Sequence, residues 1–262
     1  MDFDKIATEQ FVRFMLVLCR VGGILLVTPL LGGPHLALRV RVLIAAAISV
    51  AVYPLVPLTG AAAPTEGARL VLGLAGELCV GLVCGFVVNM VFVAARMAGS
   101  LLSTTMGTGL TEMMNPTAET QLPVLSEFYT LFAVVAFFAV NGHHVLLAGL
   151  VRSFERVPLM GAGLRPGMVT EMAGLLGDMF VLMIKLAAPT LAVLFVMTVA
   201  LGVVSRIVPQ GNVAILGFPL TACAGMVAVS LTLAAAAMFL GDSATWAMNQ
   251  VDVMLRLMAG RA

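Results

Sequence analysis

Six long apolar runs constrain this chain more than any other feature, covering roughly residues 11–31, 40–58, 70–95, 128–150, 173–204 and 213–240. A helix needs about 20 mostly apolar residues to cross the hydrocarbon core of a bilayer, and each run is close to that length or longer. The runs are apolar on every side instead of alternating, which argues against membrane-spanning strands. Charge supports the same reading, because only 10% of the 262 residues are charged while 61% are hydrophobic. A soluble domain carries about a quarter charged residues, so this chain has too little charge to coat a water-facing surface. The fold class predicted is an all-α membrane protein. A net charge of +1 and the lack of a Lys/Arg cluster give no basis for binding nucleic acid. The N-terminus, Met1-Asp2-Phe3-Asp4-Lys5, lacks the basic stretch of a cleaved signal, so the first run reads as a retained span.

The runs are irregular. Pro29 ends or bends the first, Pro54 and Pro57 end the second, Pro189 falls in the fifth and Pro219 near the start of the sixth. Proline removes a backbone donor, which membrane helices tolerate when neighbouring protein satisfies the freed groups. Kinked helices packed on other helices are predicted. Charge also enters the runs: Arg13 and Arg20 in the first, Glu77 in the third, Asp178 and Lys185 in the fifth. Arg13 and Arg20 share a helix face. Asp178 and Lys185 do too, but two turns separate them by about 10 Å, too far to pair directly. Each such charge calls for a partner on another helix or subunit, or else lies near the interface and snorkels there, a reading that suits Arg13 better than the short side chains of Glu77 and Asp178. The four cysteines, Cys19, Cys79, Cys84 and Cys223, lie in apolar runs without metal or redox spacing and read as packing residues.

Residues 96–127 fit no span. The stretch holds Met106-Gly107-Thr108-Gly109, Met113-Met114-Asn115-Pro116 and Pro123, with few charges. Gly107 and Gly109 permit tight turns and Asn115-Pro116 is a turn signal. A moderately apolar, punctuated connection of this kind reads as a re-entrant or pore-lining element, buried in protein or facing a cavity. The flexible side chains of Met106, Met113 and Met114 suit a seal that closes and yields. Met168, Met172, Met179 and Met183 share one helical face and read as core packing. Gly81 and Gly85 form G-x-x-x-G in an apolar helix, a pattern for close helix approach. Asn141-Gly142-His143-His144 ends the fourth run; adjacent histidines point to different sides of a helix and make a poor chelate, so they read as interfacial polar residues at a helix end and no metal site is assigned. No Walker motif or nucleophilic triad is present, so neither an enzyme activity nor a cofactor is assigned.

Several motifs stand in order along the chain: Arg20-Val21-Gly22-Gly23 through Pro29 and Pro34 to Arg41; Gly81 to Asn89; Met106-Gly107-x-Gly109, Asn115-Pro116, Pro123 and Asn141-Gly142-His143-His144 with Ser153-Phe154 and Pro158; and Ala187-Ala188-Pro189 through Pro209-Gln210-x-Asn212 to Gly217-Phe218-Pro219. Their order and spacing resemble the FliR/SctT-like family of the bacterial type III export apparatus. This resemblance implies kinked helical hairpins packed in a hetero-oligomeric helical assembly. It implies a FliP-like part over 1–172, with a plug-like loop at 106–123, followed by a FliQ-like hairpin and tail over 173–262. It also implies a subunit of the flagellar protein export gate, built with FliP-like and FliQ-like subunits and associated with an FlhB-like subunit. The implied location is the bacterial inner membrane at the flagellar basal body, with unfolded flagellar proteins in transit. Met106, Gly107, Gly109, Met113, Met114, Asn115 and Pro116 are then the plug candidates. Glu77, Asp178, Lys185, Arg206 and Gln210 are the subunit-contact candidates. Loop arginines favour both termini inside, while a FliQ-like hairpin would put Arg206 and Gln210 at a cytoplasmic tip. A small secondary transporter using Asp178, Lys185 or Glu77, a virulence type III secretion counterpart and a scaffold without a pore role are the competing readings.

Overall fold

The computed structural model describes residues 3–29, 37–57, 67–108, 123–161, 163, 165–207 and 213–260. Among them the regular structure is helical: α1 (Phe3–Val27), α2 (Leu38–Val52) followed by a 3-10 turn (Tyr53–Leu55), α3 (Gly67–Met106), α4 (Val124–Ala139), α5 (Gly142–Arg156), α6 (Pro166–Ile207) and α7 (Val213–Ala259). Five helices are long and apolar enough to cross a membrane, and a sixth span follows if α4 and α5 count as one. The apolar run at 128–150 is thus a bent pair, with 74° between α4 and α5. Asn141 makes the corner at φ 58°, a left-handed conformation that asparagine tolerates better than most residues.

Three helices outrun their apolar segments. α3, α6 and α7 contain 40, 42 and 47 residues. At 1.5 Å per residue each is about 60–70 Å long, roughly twice the thickness of a hydrocarbon core. α6 and α7 run on through Pro189 and Pro219.

The chain divides into two compact units. The first comprises residues 1–90, 141–176 and 244–262 and the second 91–140 and 177–243. The boundary at 172/173 expected from the resemblance lies inside α6, a few residues before the division between Leu176 and Gly177.

In the first unit the buried positions of α1 are Leu16, Val17, Arg20, Val21, Gly23, Ile24 and Leu25, a stripe at helical spacing. The matching stripe on α3 is Glu77, Val80, Gly81, Cys84, Gly85, Val87 and Val88. The two backbones meet at glycine. A Cβ on Gly81 would stand 2.2 Å from the Arg20 carbonyl oxygen, and one on Gly85 2.8 Å from that of Ile24. The G-x-x-x-G pattern thus serves close helix approach. At the C-terminal end of α7, Ala244, Ala247, Val251, Met254, Leu255 and Met258 form another buried stripe.

In the second unit the later turns of α3 pair antiparallel with α4. Phe92 meets Phe137 at 5.5 Å between ring centroids, and the Ser126 hydroxyl donates to the Arg96 carbonyl at 2.9 Å. A Cβ on Gly99 would stand 2.6 Å from the Leu125 carbonyl oxygen. α6 and α7 form a second antiparallel pair, with the Thr190 and Thr232 hydroxyls 3.2 Å apart and the Lys185 ammonium 5.9 Å from the Phe239 ring centre.

Candidate functional site

Arg20 and Glu77 each sit inside an otherwise apolar stripe, so helix packing carries both charges into the first unit's core. Both side chains are fully buried. The guanidinium Nε donates to Glu77 at 2.5 Å. Its two terminal nitrogens donate to the Val157 carbonyl at 3.0 Å, and Nη1 also reaches the Ser153 hydroxyl at 3.3 Å. The Phe154 ring covers its face at 4.3 Å. The second carboxylate oxygen of Glu77 accepts from the Met160 backbone N–H at 2.8 Å. Met160 has φ 64°, an uncommon conformation for a residue with a long side chain. The pair thus fastens α1 and α3 to α5 and to the turn that follows it.

Desolvating two charges is costly, and only good geometry with satisfied hydrogen bonds offsets it. Here the neighbouring groups supply both. Burial also corrects an expectation. Glu77, a subunit-contact candidate from the sequence, spends its carboxylate on Arg20 and Met160 inside the chain. Arg13, on the same face of α1, pairs instead with Glu9 one turn away at 2.7 Å.

A second locus lies in the second unit, where α3 ends. Met106 is the last residue of α3 and is 2% exposed. Its side chain fills the space that a Cβ on Gly225 would occupy, 2.3 Å from Met106 Cε. The Met106 carbonyl accepts from the Thr221 hydroxyl at 3.3 Å. Gly107 follows at φ 80°, and a Cβ there would stand 2.4 Å from the Phe218 ring. Phe218, Thr221 and Gly225 share a face of α7, so one strip of helix receives the end of α3. Met106 is therefore a packed helix-terminal residue, not a loop side chain. Gly109, Met113, Met114, Asn115 and Pro116 lie outside the described residues, as does Gln210.

The remaining candidates sit on the surface. Asp178 and Arg206 are exposed and have no partner among the described residues, and Lys185 is exposed beside Phe239. The core reading of the second methionine set fits the placement: Met168 and Met179 are buried, Met172 and Met183 half-buried. The rings of His143 and His144 do not diverge; their centres are 4.3 Å apart. Sequence reasoning gave no role to Ser153, Phe154 or Met160, although Ser153-Phe154 and Pro158 were among the motif residues. Their role depends on contacts with Arg20 and Glu77, which lie far away in sequence.

Spans of this length, with ionised groups satisfied inside protein, define a multi-pass helical membrane protein. The sequence matches the profile of "Bacterial export proteins, family 1" over residues 11–245. The chain belongs to this family, which makes it a component of a bacterial export apparatus. It is 29% identical over 231 residues to a flagellar biosynthetic protein FliR of Aquifex aeolicus, covering 88% of this chain and 89% of that one. It is 29% identical over 217 residues to a FliR of Bacillus subtilis, covering 81% and 82%. It is also 29% identical over 137 residues to a surface presentation of antigens protein SpaR of Shigella sonnei, covering 52% of each.

Proposed function

We propose that the chain is a subunit of the flagellar type III export gate, forming with FliP-like and FliQ-like subunits the channel through which unfolded flagellar proteins cross the bacterial inner membrane. The observation that carries this reading is the unburied surface of α6 and α7. Their most apolar windows have mean hydropathies of 2.3 and 2.1, yet only 28% of each is buried in the chain. Among the residues left outside are Asp178 and Lys185 on α6. Lipid would cover the apolar part but penalise those charges, whereas sister subunits can cover both. An FlhB-like subunit completes the assembly at the basal body.

The plug assignment belongs to the segment 106–123. With Met106 and Gly107 packed at its base, Met113, Met114 and the Asn115-Pro116 turn are left to form the seal. Asp178, Lys185, Arg206 and Gln210 are the contacts offered to neighbouring subunits. Relatives support the flagellar branch over a virulence counterpart: the FliR proteins of Aquifex aeolicus and Bacillus subtilis align over 88% and 81% of the chain.

The test is co-expression with FliP-like and FliQ-like subunits. One stoichiometric complex is expected, and deleting residues 106–123 should raise ion leakage through it. A well-behaved monomer that ignores both partners, or a deletion that leaves conductance unchanged, defeats the proposal.

A further inference from the structure

The first unit contains a cavity of about 560 Å³ between α5 and the C-terminal end of α7. That is the size of a small-molecule site. Its wall carries His144, Arg152, Glu155 and Arg156 from α5 and Asn249 and Asp252 from α7, above an apolar floor that includes Val251 and Leu255. Gly149 keeps the floor low, since the Met248 side chain occupies the space its Cβ would need.

The charges on this wall are not equally committed. Asp252 is held by two arginines, Arg156 at 3.4 Å and Arg256 at 2.7 Å. Arg152 and Glu155 are both exposed and have no partner among the described residues. They stand three residues apart on one helix, which places their Cβ atoms about 5–6 Å apart. One uncommitted cation and one uncommitted anion, side by side over an apolar floor, suit a ligand with a negative and a positive group joined by a short linker. An anion alone would leave Glu155 against it; a cation alone would leave Arg152.

We infer that this cavity binds a phosphate ester carrying a primary amine, presented as the headgroup of a zwitterionic phospholipid. Arg152 takes the phosphate, with the His144 imidazole and Asn249 amide as further donors. Glu155 takes the ammonium, and the apolar floor accepts the first carbons of the lipid. A lipid is the natural source because the chain spans a membrane, where such headgroups are concentrated beside it. The site does not depend on the export-gate reading.

The experiment is native mass spectrometry of the full-length protein, purified with its partner subunits, after adding phosphatidylethanolamine, phosphatidylglycerol or phosphatidylcholine. Phosphatidylethanolamine should bind about fivefold more tightly than phosphatidylglycerol, the scale of one partly exposed charge contact. Arg152→Gln should weaken both about fivefold or more. Glu155→Gln should weaken phosphatidylethanolamine and, by removing the carboxylate that opposes a lone phosphate, strengthen phosphatidylglycerol, erasing the preference between them. Both positions are exposed, and an unchanged complex mass confirms that each variant assembles. Equal binding of the two lipids, or loss of neither in the variants, overturns the inference. So does a crosslink from Arg152→Cys to a partner subunit with no lipid retained. Displacement of bound lipid by a large excess of soluble glycerophosphoethanolamine reassigns the site to a free phosphate ester and defeats the lipid source.

Discussion

The two compact units solve the problem of buried polarity differently. The first concentrates its charge: Arg20 and Glu77 form one fully buried ion pair with Ser153, the Val157 carbonyl and the Met160 amide around it, while two further buried hydroxyls, Thr28 and Ser49, each bond a carbonyl one turn back. The second disperses its polarity over hydroxyls. Its buried polar residues, among those described, are Ser103, Ser126, Thr130, Thr190 and Ser243. Ser126, Thr130 and Ser243 each return a bond to a nearby backbone carbonyl, and Thr190 faces Thr232. A hydroxyl left without its partner costs little beside an ionised group left alone in an apolar core. The first unit thus has one dominant point of failure, and the second has only minor ones.

This contrast can be broken by three single substitutions and one double replacement, read as unfolding of the detergent-solubilised assembly. Glu77→Ala leaves a buried guanidinium uncompensated and should destabilise the protein by about 3–5 kcal/mol. Replacing Arg20 and Glu77 together with leucine should recover much of that loss, since no charge is then stranded. Gly81→Ala comes next. The added methyl meets the Arg20 carbonyl, which is backbone and cannot rotate away, so a loss of about 1–3 kcal/mol is expected. Thr190→Val in the second unit is the mildest, at about 0.5–1.5 kcal/mol. If Thr190→Val matches Glu77→Ala, the distinction between concentrated and dispersed polarity is wrong.

Much of this was legible in the chain, in proportion to how local the cause was. The apolar runs name the helices because lipid-length hydrophobicity is a property of consecutive residues. Gly81 and Gly85 announce a close approach for the same reason. The partner of Arg20 was not legible, because Glu77 lies 57 residues away and only the packing of two stripes brings them together. Helix ends were misplaced where apolarity stopped before helicity did. The run ending near 240 continues as α7 to Ala259, where one face is polar and the other buried. The break at Asn141 was half legible: Asn141-Gly142-His143-His144 reads as a polar helix end, but the apolar residues on both sides gave no sign of the sharp bend, which depends on a single left-handed residue. Of the plug candidates, only Met106 and Gly107 fall within the described residues. There the tertiary partners, Phe218, Thr221 and Gly225, lie more than a hundred positions downstream.

The buried pair also sets an order of events during synthesis. Arg20 lies within the first span and leaves the ribosome 57 residues ahead of the carboxylate that neutralises it. The carbonyl that completes its coordination comes 137 residues behind. A lone arginine in the middle of a membrane helix costs about 2.5–3.5 kcal/mol on insertion scales. Until α3 emerges that cost stands unrelieved, and the bonds that complete the cluster can form only after α5 has followed. The charge that locks the finished core is thus a burden on the first helix for as long as that helix stands alone.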